Sequence, residues 1–163
     1  MKVVIHHDLK EFLFCLKRGD VRFVVIGAYV LATLGRPRFS EDLDVFVDAS
    51  PQNASAIAAA LREFGGFEEL ARVVPDHLSE ANRMITIGRA PLAIDVTTGI
   101  DGVTFEEAWE GRSEVEIEGQ LIGFLGKSEY VRTKRAAGRP KDLADLAMLK
   151  EAGLLDDEGQ VKK

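Results

Sequence analysis

The 163-residue chain is poor in reactive and aromatic side chains, with one cysteine, one tryptophan, two tyrosines and three histidines. The lone Cys15 excludes an internal disulfide framework and a cysteine-rich zinc site, and a single thiol suits a reducing compartment. His6, His7 and His77 lack the spacing of zinc ligands, so solvated or capping roles are the simpler reading. The few aromatics are not interleaved with basic residues, so no base-stacking platform is visible. No apolar run approaches the roughly 20 residues of a membrane span. Residues 1–10 lack the shape of a secretory signal. There is no excess of positive charge either: 27 acidic against 21 basic residues leave a net charge of −6. That excludes the broad basic surface of non-specific duplex binding, although a local basic patch remains compatible with it. What is present is ordinary globular material, 46% hydrophobic and 29% charged, long enough to bury a core without cross-links. The expectation is a cytoplasmic protein with no membrane contact.

The pattern along the chain alternates helices and strands. Leu9, Phe12, Leu13 and Leu16 predict a helix over His7–Lys17. Val21–Ile26 is a β-branched run, ended by Gly27 and followed by a helical stretch over Ala28–Leu34. Leu43–Val47 reads as a strand. Ser50 and Pro51 predict the N-cap and first residue of a helix reaching Phe64. Arg83–Ile87 and Leu92–Val96 read as strands joined by turn residues 88–91, with His77 in a preceding loop. A short helix over Thr104–Glu110 and a hairpin of Val115–Ile117 with Leu121–Phe124 around Gly119-Gln120 come next. Two helices, Lys127–Ala137 and Pro140–Glu151, complete a single domain over residues 1–152. Residues 153–163 read as a polar tail that frays. The class is α/β or α+β, a mixed sheet flanked by helices.

The segment from Val24 to Val47 is the richest in chemistry. Asp42 and Asp44 lie two apart in a strand-like setting and so face one side. Two carboxylates there repel unless a cation sits between them, and hard divalent cations such as Mg²⁺ prefer carboxylate oxygen. An exposed face with two solvated acids is the competing reading, and the apolar Val45-Phe46-Val47 that follows weighs against it. Gly27, between strand and helix, lets backbone N–H groups approach a phosphate, or simply makes a tight turn. Asp95, inside Leu92–Val96, is a third acid in an apolar strand, where it is costly unless paired or metal-bound. Asp101 competes for that role but sits in the turn-like Gly99–Gly102.

Together these residues resemble the nucleotidyltransferase fold of the DNA polymerase beta superfamily. Its hallmark is an apolar residue with glycine and a small residue, then acidic–apolar–acidic, then a later apolar–acidic–apolar strand. Here these are Ile26-Gly27-Ala28, Asp42-Leu43-Asp44-Val45 and Ile94-Asp95-Val96. Gly35 with 38–44, and the run from Lys134 to Leu146, are similar to small AbiEii-type bacterial nucleotidyltransferases. The resemblance covers roughly residues 21 to 150. It implies that Asp42 and Asp44 hold two Mg²⁺ ions, and that Asp95 binds the second and helps deprotonate an acceptor hydroxyl. It implies a nucleoside triphosphate lying against Gly27 and Ala28, with RNA such as tRNA, or a protein, as acceptor. A toxin–antitoxin setting with a cognate antitoxin is also implied. Ala28 departs from the usual serine or glycine and offers only its backbone N–H. The alternative is a non-catalytic nucleotide- or partner-binding module of the same fold.

Other residues carry two readings each. Arg36 and Arg38 either reach phosphates or balance the acids from the surface. From Lys127 to Glu151 there are seven Lys or Arg against four Asp or Glu. Lys134, Arg139 and Lys141 thus form a basic zone for a triphosphate or an RNA, or a solvated face. Asp142 and Asp145 share a helix face and pair with basic neighbours or hold that helix to the sheet. Gly126-Lys127-Ser128 is not a P-loop, because Leu121 stands where its first glycine belongs. Cys15 reads as a packed thiol, and Trp109 with Phe105 as core.

Overall fold

The computed structural model describes residues 3–37, 40, 42–89 and 92–162. Strand β1 (Phe23–Ile26) follows helix α1 (His7–Arg18) and leads into α2 (Tyr29–Thr33); β2 (Asp42–Val47) follows. Next come α3 (Pro51–Phe64), α4 (Glu68–His77), β3 (Met84–Arg89) and β4 (Leu92–Thr97). Then α5 (Phe105–Glu110), β5 (Ser113–Ile117), β6 (Gln120–Phe124), α6 (Lys127–Ala137) and α7 (Pro140–Glu151) complete the order. The six strands form one mixed sheet in the order β3-β4-β2-β1-β6-β5. β2 runs antiparallel to β1 and parallel to β4; β1 and β6 are parallel.

Local chemistry explains where the helices start. His6 Nδ1 accepts the N–H of Asp8 at 3.2 Å, so His6 caps α1. Ser50 Oγ accepts the N–H of Asn53 at 3.1 Å with Pro51 in the first position of α3, as its sequence predicts. Thr104 and Glu107 exchange side-chain and backbone bonds in a capping box at α5. Side chains alternate across the strands and build a core on each face of the sheet. Phe23 and Val25, with Leu43, Val45 and Val47, pack among side chains of α1, α3 and α4. Val24 and Phe46 pack on the other face with side chains of α2, α5, α6 and α7. Cys15 is buried in the first core, where burial pushes its thiol up. Trp109 stacks on Phe105 and is half-buried, with the Arg112 guanidinium 3.8 Å from its ring centroid.

Three expectations are corrected. His77 is not in a loop but ends α4, a helix that the sequence pattern does not announce. Its buried Ala71 and Val74 keep helical spacing, and Pro75 is tolerated near the helix end. Gly88 is a strand residue rather than a turn residue; it pairs with Ala93, and β3 continues to Arg89. The segment after Gly153 does not fray: Leu155 is buried and bridges to Val161, which puts apolar weight where the composition looked polar.

The α6–α7 hairpin is clasped by buried charge. Lys134 Nζ reaches Asp142 Oδ1 at 3.0 Å and Asp145 Oδ2 at 3.2 Å, and Arg139 Nε reaches Asp142 Oδ2 at 2.7 Å. Burial would raise the Asp142 carboxyl, but hydrogen bonds from Arg139 and Lys134 outweigh it and hold it at about 2. The pairing expected for Asp142 and Asp145 is therefore met. Because the folded value is depressed, this stabilisation is full above the ordinary 3.8 and is lost as pH falls toward 2. Lys134→Ala removes the cation that Asp142 and Asp145 share, leaves Asp142 to Arg139 alone, and is expected to cost about 3 kcal/mol in urea unfolding at neutral pH. The gap between parent and variant should narrow as pH falls toward 2 and Asp142 is neutralised. A variant as stable as the parent at neutral pH contradicts the clasp.

Candidate active site

β1 ends at a corner that only glycine fits. Gly27 has φ +75°, and a Cβ there would collide with the Asp44 carboxylate. Ala28 is the N-cap of α2 and is buried, with no side-chain capping bond. With five residues, α2 offers the backbone of its first turn rather than a long helix dipole.

The register of the sheet then gathers the acids. Asp44 lies directly beside Asp95 in the parallel β2–β4 pair and opposite Ile26 in the β1–β2 pair. Residues in register across neighbouring strands point to one face. Here it is the face of Phe46, covered by α6 and α7. Asp42 is the exposed first residue of β2, two positions upstream on the same side. Ser40 Oγ accepts the Asp42 N–H at 3.2 Å and donates to its carbonyl at 2.9 Å. Thr86 Oγ1 donates to Asp95 Oδ1 at 2.7 Å. Asp42, Asp44 and Asp95 line one cavity of about 500 Å³ together with Gly27, Ala28, Asp101, Lys134, Arg139 and Lys141.

The electrostatics show the cost of this arrangement. The Asp44 carboxyl is raised to about 6, first by burial and then by the neighbouring Asp95 and Asp42 charges; Lys141 pulls it the other way. Among the described residues, no three His, Cys, Asp or Glu side chains close into a ready metal cage. The donor set is nonetheless all carboxylate oxygen around a repelled acid, the chemistry a hard divalent cation matches.

The predicted site residues fare differently. Gly27, Ala28, Asp42, Asp44 and Asp95 converge on the cavity. Lys134 reaches its wall, but its charge is held by Asp142 and Asp145. Arg38 lies outside the described residues, and Arg36 is exposed, its guanidinium contacting the Gly35 carbonyl at 3.5 Å. Asp101 is in a turn, as its neighbouring glycines predict, yet it also lines the cavity. Nothing in the sequence pattern singles out Thr86 or Ser40. The β3–β4 hairpin pairs residues whose numbers sum to 181, which sets Thr86 opposite Asp95. Ending β3 at Arg89 rather than Ile87 would have revealed that partner.

An acid pair on adjacent strands beside a glycine corner, on a mixed sheet backed by a helical hairpin, is the layout of a nucleotidyltransferase domain. The family profile described as nucleotidyl transferase AbiEii toxin, type IV TA system, matches residues 11–124, and the chain belongs to that family of nucleotidyltransferases. A search of curated protein sequences finds no match. A crystal structure of a Thermotoga maritima protein described as a nucleotidyltransferase is similar, with 18% identity, 88% of each chain covered and a TM-score of 0.51. At that identity the likeness supports the fold alone.

The raised Asp44 carboxyl makes a stability prediction. Its folded value lies above 3.8, so the proton favours the folded chain, and stability is lost as pH rises from 3.8 to about 6. Asp44→Asn removes that penalty. In thermal melts the variant should gain roughly 1–3 kcal/mol over the parent at pH 7.5 without added metal, and almost nothing at pH 4. A constant difference at both pH values contradicts the crowded-acid account.

Proposed function

We propose that this nucleotidyltransferase moves a nucleotide from a nucleoside triphosphate onto the hydroxyl of an RNA acceptor such as tRNA, with Mg²⁺. The observation that carries the reading is the in-register Asp44–Asp95 pair beside Gly27, with Asp42 at the cavity rim. Asp42, Asp44 and Asp95 would hold two Mg²⁺ ions. When bound, such ions supply charge neutralisation at the reacting phosphate and its leaving group. The backbone at Gly27 and Ala28 receives the phosphates at close range, and Ala28 contributes no hydroxyl. Asp95, oriented by Thr86, takes the proton of the acceptor hydroxyl. The acceptor oxygen bonds to the α-phosphorus. The bond from that phosphorus to the bridging oxygen breaks, and its electron pair leaves with pyrophosphate.

The family description adds a biological setting, a toxin–antitoxin system. In that setting this chain is a cytoplasmic toxin neutralised by a cognate antitoxin protein. Among the described residues, no helix is long and apolar enough to cross a membrane. The deciding assay follows label from each of four α-labelled nucleoside triphosphates onto total bacterial RNA and protein, with Mg²⁺ present. Label is expected in RNA with the parent chain. Asp95→Asn should lower the transfer rate by about 10²–10⁴-fold, and Asp44→Asn should abolish it. Undiminished transfer by Asp44→Asn removes the acid pair from the reaction, and label confined to protein overturns the RNA acceptor.

A further inference from the structure

The cavity is rich in acid, and that raises a problem for a polyphosphate. Asp42, Asp44, Asp95 and Asp101 all line it. A nucleoside triphosphate brings several more negative charges into the same space. Some cation on the wall must offset that repulsion at the tail of the ligand, away from the carboxylates.

Among the described residues that line the cavity, the Lys and Arg side chains are Lys134, Arg139 and Lys141. Two of them are already committed. Lys134 is buried between Asp142 and Asp145, and Arg139 grips Asp142 through Nε at 2.7 Å and Nη2 at 3.3 Å. Two positive charges meet two negative ones, so the clasp presents no net charge to a ligand. Lys141 differs. It is exposed in the first turn of α7, directly after Pro140, and no ion pair or hydrogen bond holds its ammonium among the described residues. Its charge is nonetheless felt at Asp44, across the cavity.

We propose that Lys141, rather than Lys134, is the cation that binds the β- and γ-phosphates of the nucleoside triphosphate. This deepens the nucleotidyl-transfer reading and rests on it. A lysine suits this role, because its ammonium is a compact charge with three donors on a flexible stem, able to follow the phosphates as they shift. The clasp then has a second consequence. By fixing the turn between α6 and α7, the buried Lys134–Asp142–Asp145 set places residue 141 at the cavity wall without itself touching the ligand. Lys134 is a positioning residue, and Lys141 makes the contact.

The test compares triphosphates with monophosphates. Titration calorimetry with Mg²⁺ measures ATP, GTP, CTP and UTP, and then the monophosphate of whichever binds, against the parent, Lys141→Gln and Lys141→Arg. Because Lys141 is exposed and has no ion pair among the described residues, both variants should melt with the parent. Lys141→Gln is expected to weaken triphosphate binding by about 10–100-fold, the worth of one hydrogen bond to a charged group. Monophosphate binding should hold within about twofold, because the lost contact is to phosphates that ligand lacks. Lys141→Arg, which keeps the charge, should recover most of the triphosphate affinity. Undiminished triphosphate affinity in Lys141→Gln, with a parent that binds, overturns the assignment and leaves the nucleotidyl-transfer reading standing. Equal weakening for tri- and monophosphate also overturns it, since the contact is then not to the tail. A parent that neither binds any of the four triphosphates nor transfers label overturns both.

Discussion

The site depends on a repulsion built into the sheet. β2 and β4 run parallel with Asp44 and Asp95 in register, so two carboxylates stand side by side on one face. Their surroundings add to it: Gly27 presses its backbone against Asp44 from the β1 side, and Asp42 adds a third charge from upstream, while Lys141 pulls the other way from across the cavity. Thr86 satisfies one oxygen of Asp95 but brings no charge. A chain that folds around such a pair carries a standing deficit that a proton or a cation can relieve. That is why the Asp44 carboxyl sits near neutrality, and why the same residues are suited to hold metal and phosphate together.

The opposite wall solves a different problem. α6 and α7 bring Lys134, Arg139, Lys141, Asp142 and Asp145 together, and four of these five charges cancel among themselves. Arg139 and Lys134 hold Asp142 from two sides, so the carboxyl that would be costliest to bury is the one most firmly ionised. The acid wall is left unbalanced and the basic wall is balanced internally, and the cavity lies between them.

Much of this was legible from residue order, for reasons that can be named. The two C-terminal helices were bounded correctly because Gly126, Gly138 and Pro140 mark their ends without ambiguity. Ser50-Pro51 did the same for α3. Asp44 and Asp95 stood out because each interrupts an apolar strand, and Asp42 because it lies two residues before Asp44 on the same side. What stayed hidden depends on register and pairing. α4 was obscured by Pro75 and by glycines on its N-terminal side, although Ala71 and Val74 keep a helical interval. Ending β3 at Ile87 instead of Arg89 shifted every partner on β3, and Thr86 was lost with it. The basic zone looked uniform in the sequence. Only in three dimensions does Lys134 turn inward to its carboxylates while Lys141 stays outside.

The position of β2 has a consequence for motion. It is an interior strand, paired on both edges, with its side chains packed into cores on both faces. Backbone amides in such a strand exchange with solvent only when the whole domain opens. The α6–α7 hairpin makes no strand pairs; Tyr130, Val131 and Leu149 hold it to the second core, and its charges tie its two helices together. The acid half of the site therefore belongs to the slowest-opening part of the molecule, while the basic wall is held by side-chain packing and the charge clasp rather than by strand pairing. Hydrogen exchange is expected to find the β2 amides protected longest and those of the α6–α7 wall exchanging sooner, so one cavity has walls of two lifetimes.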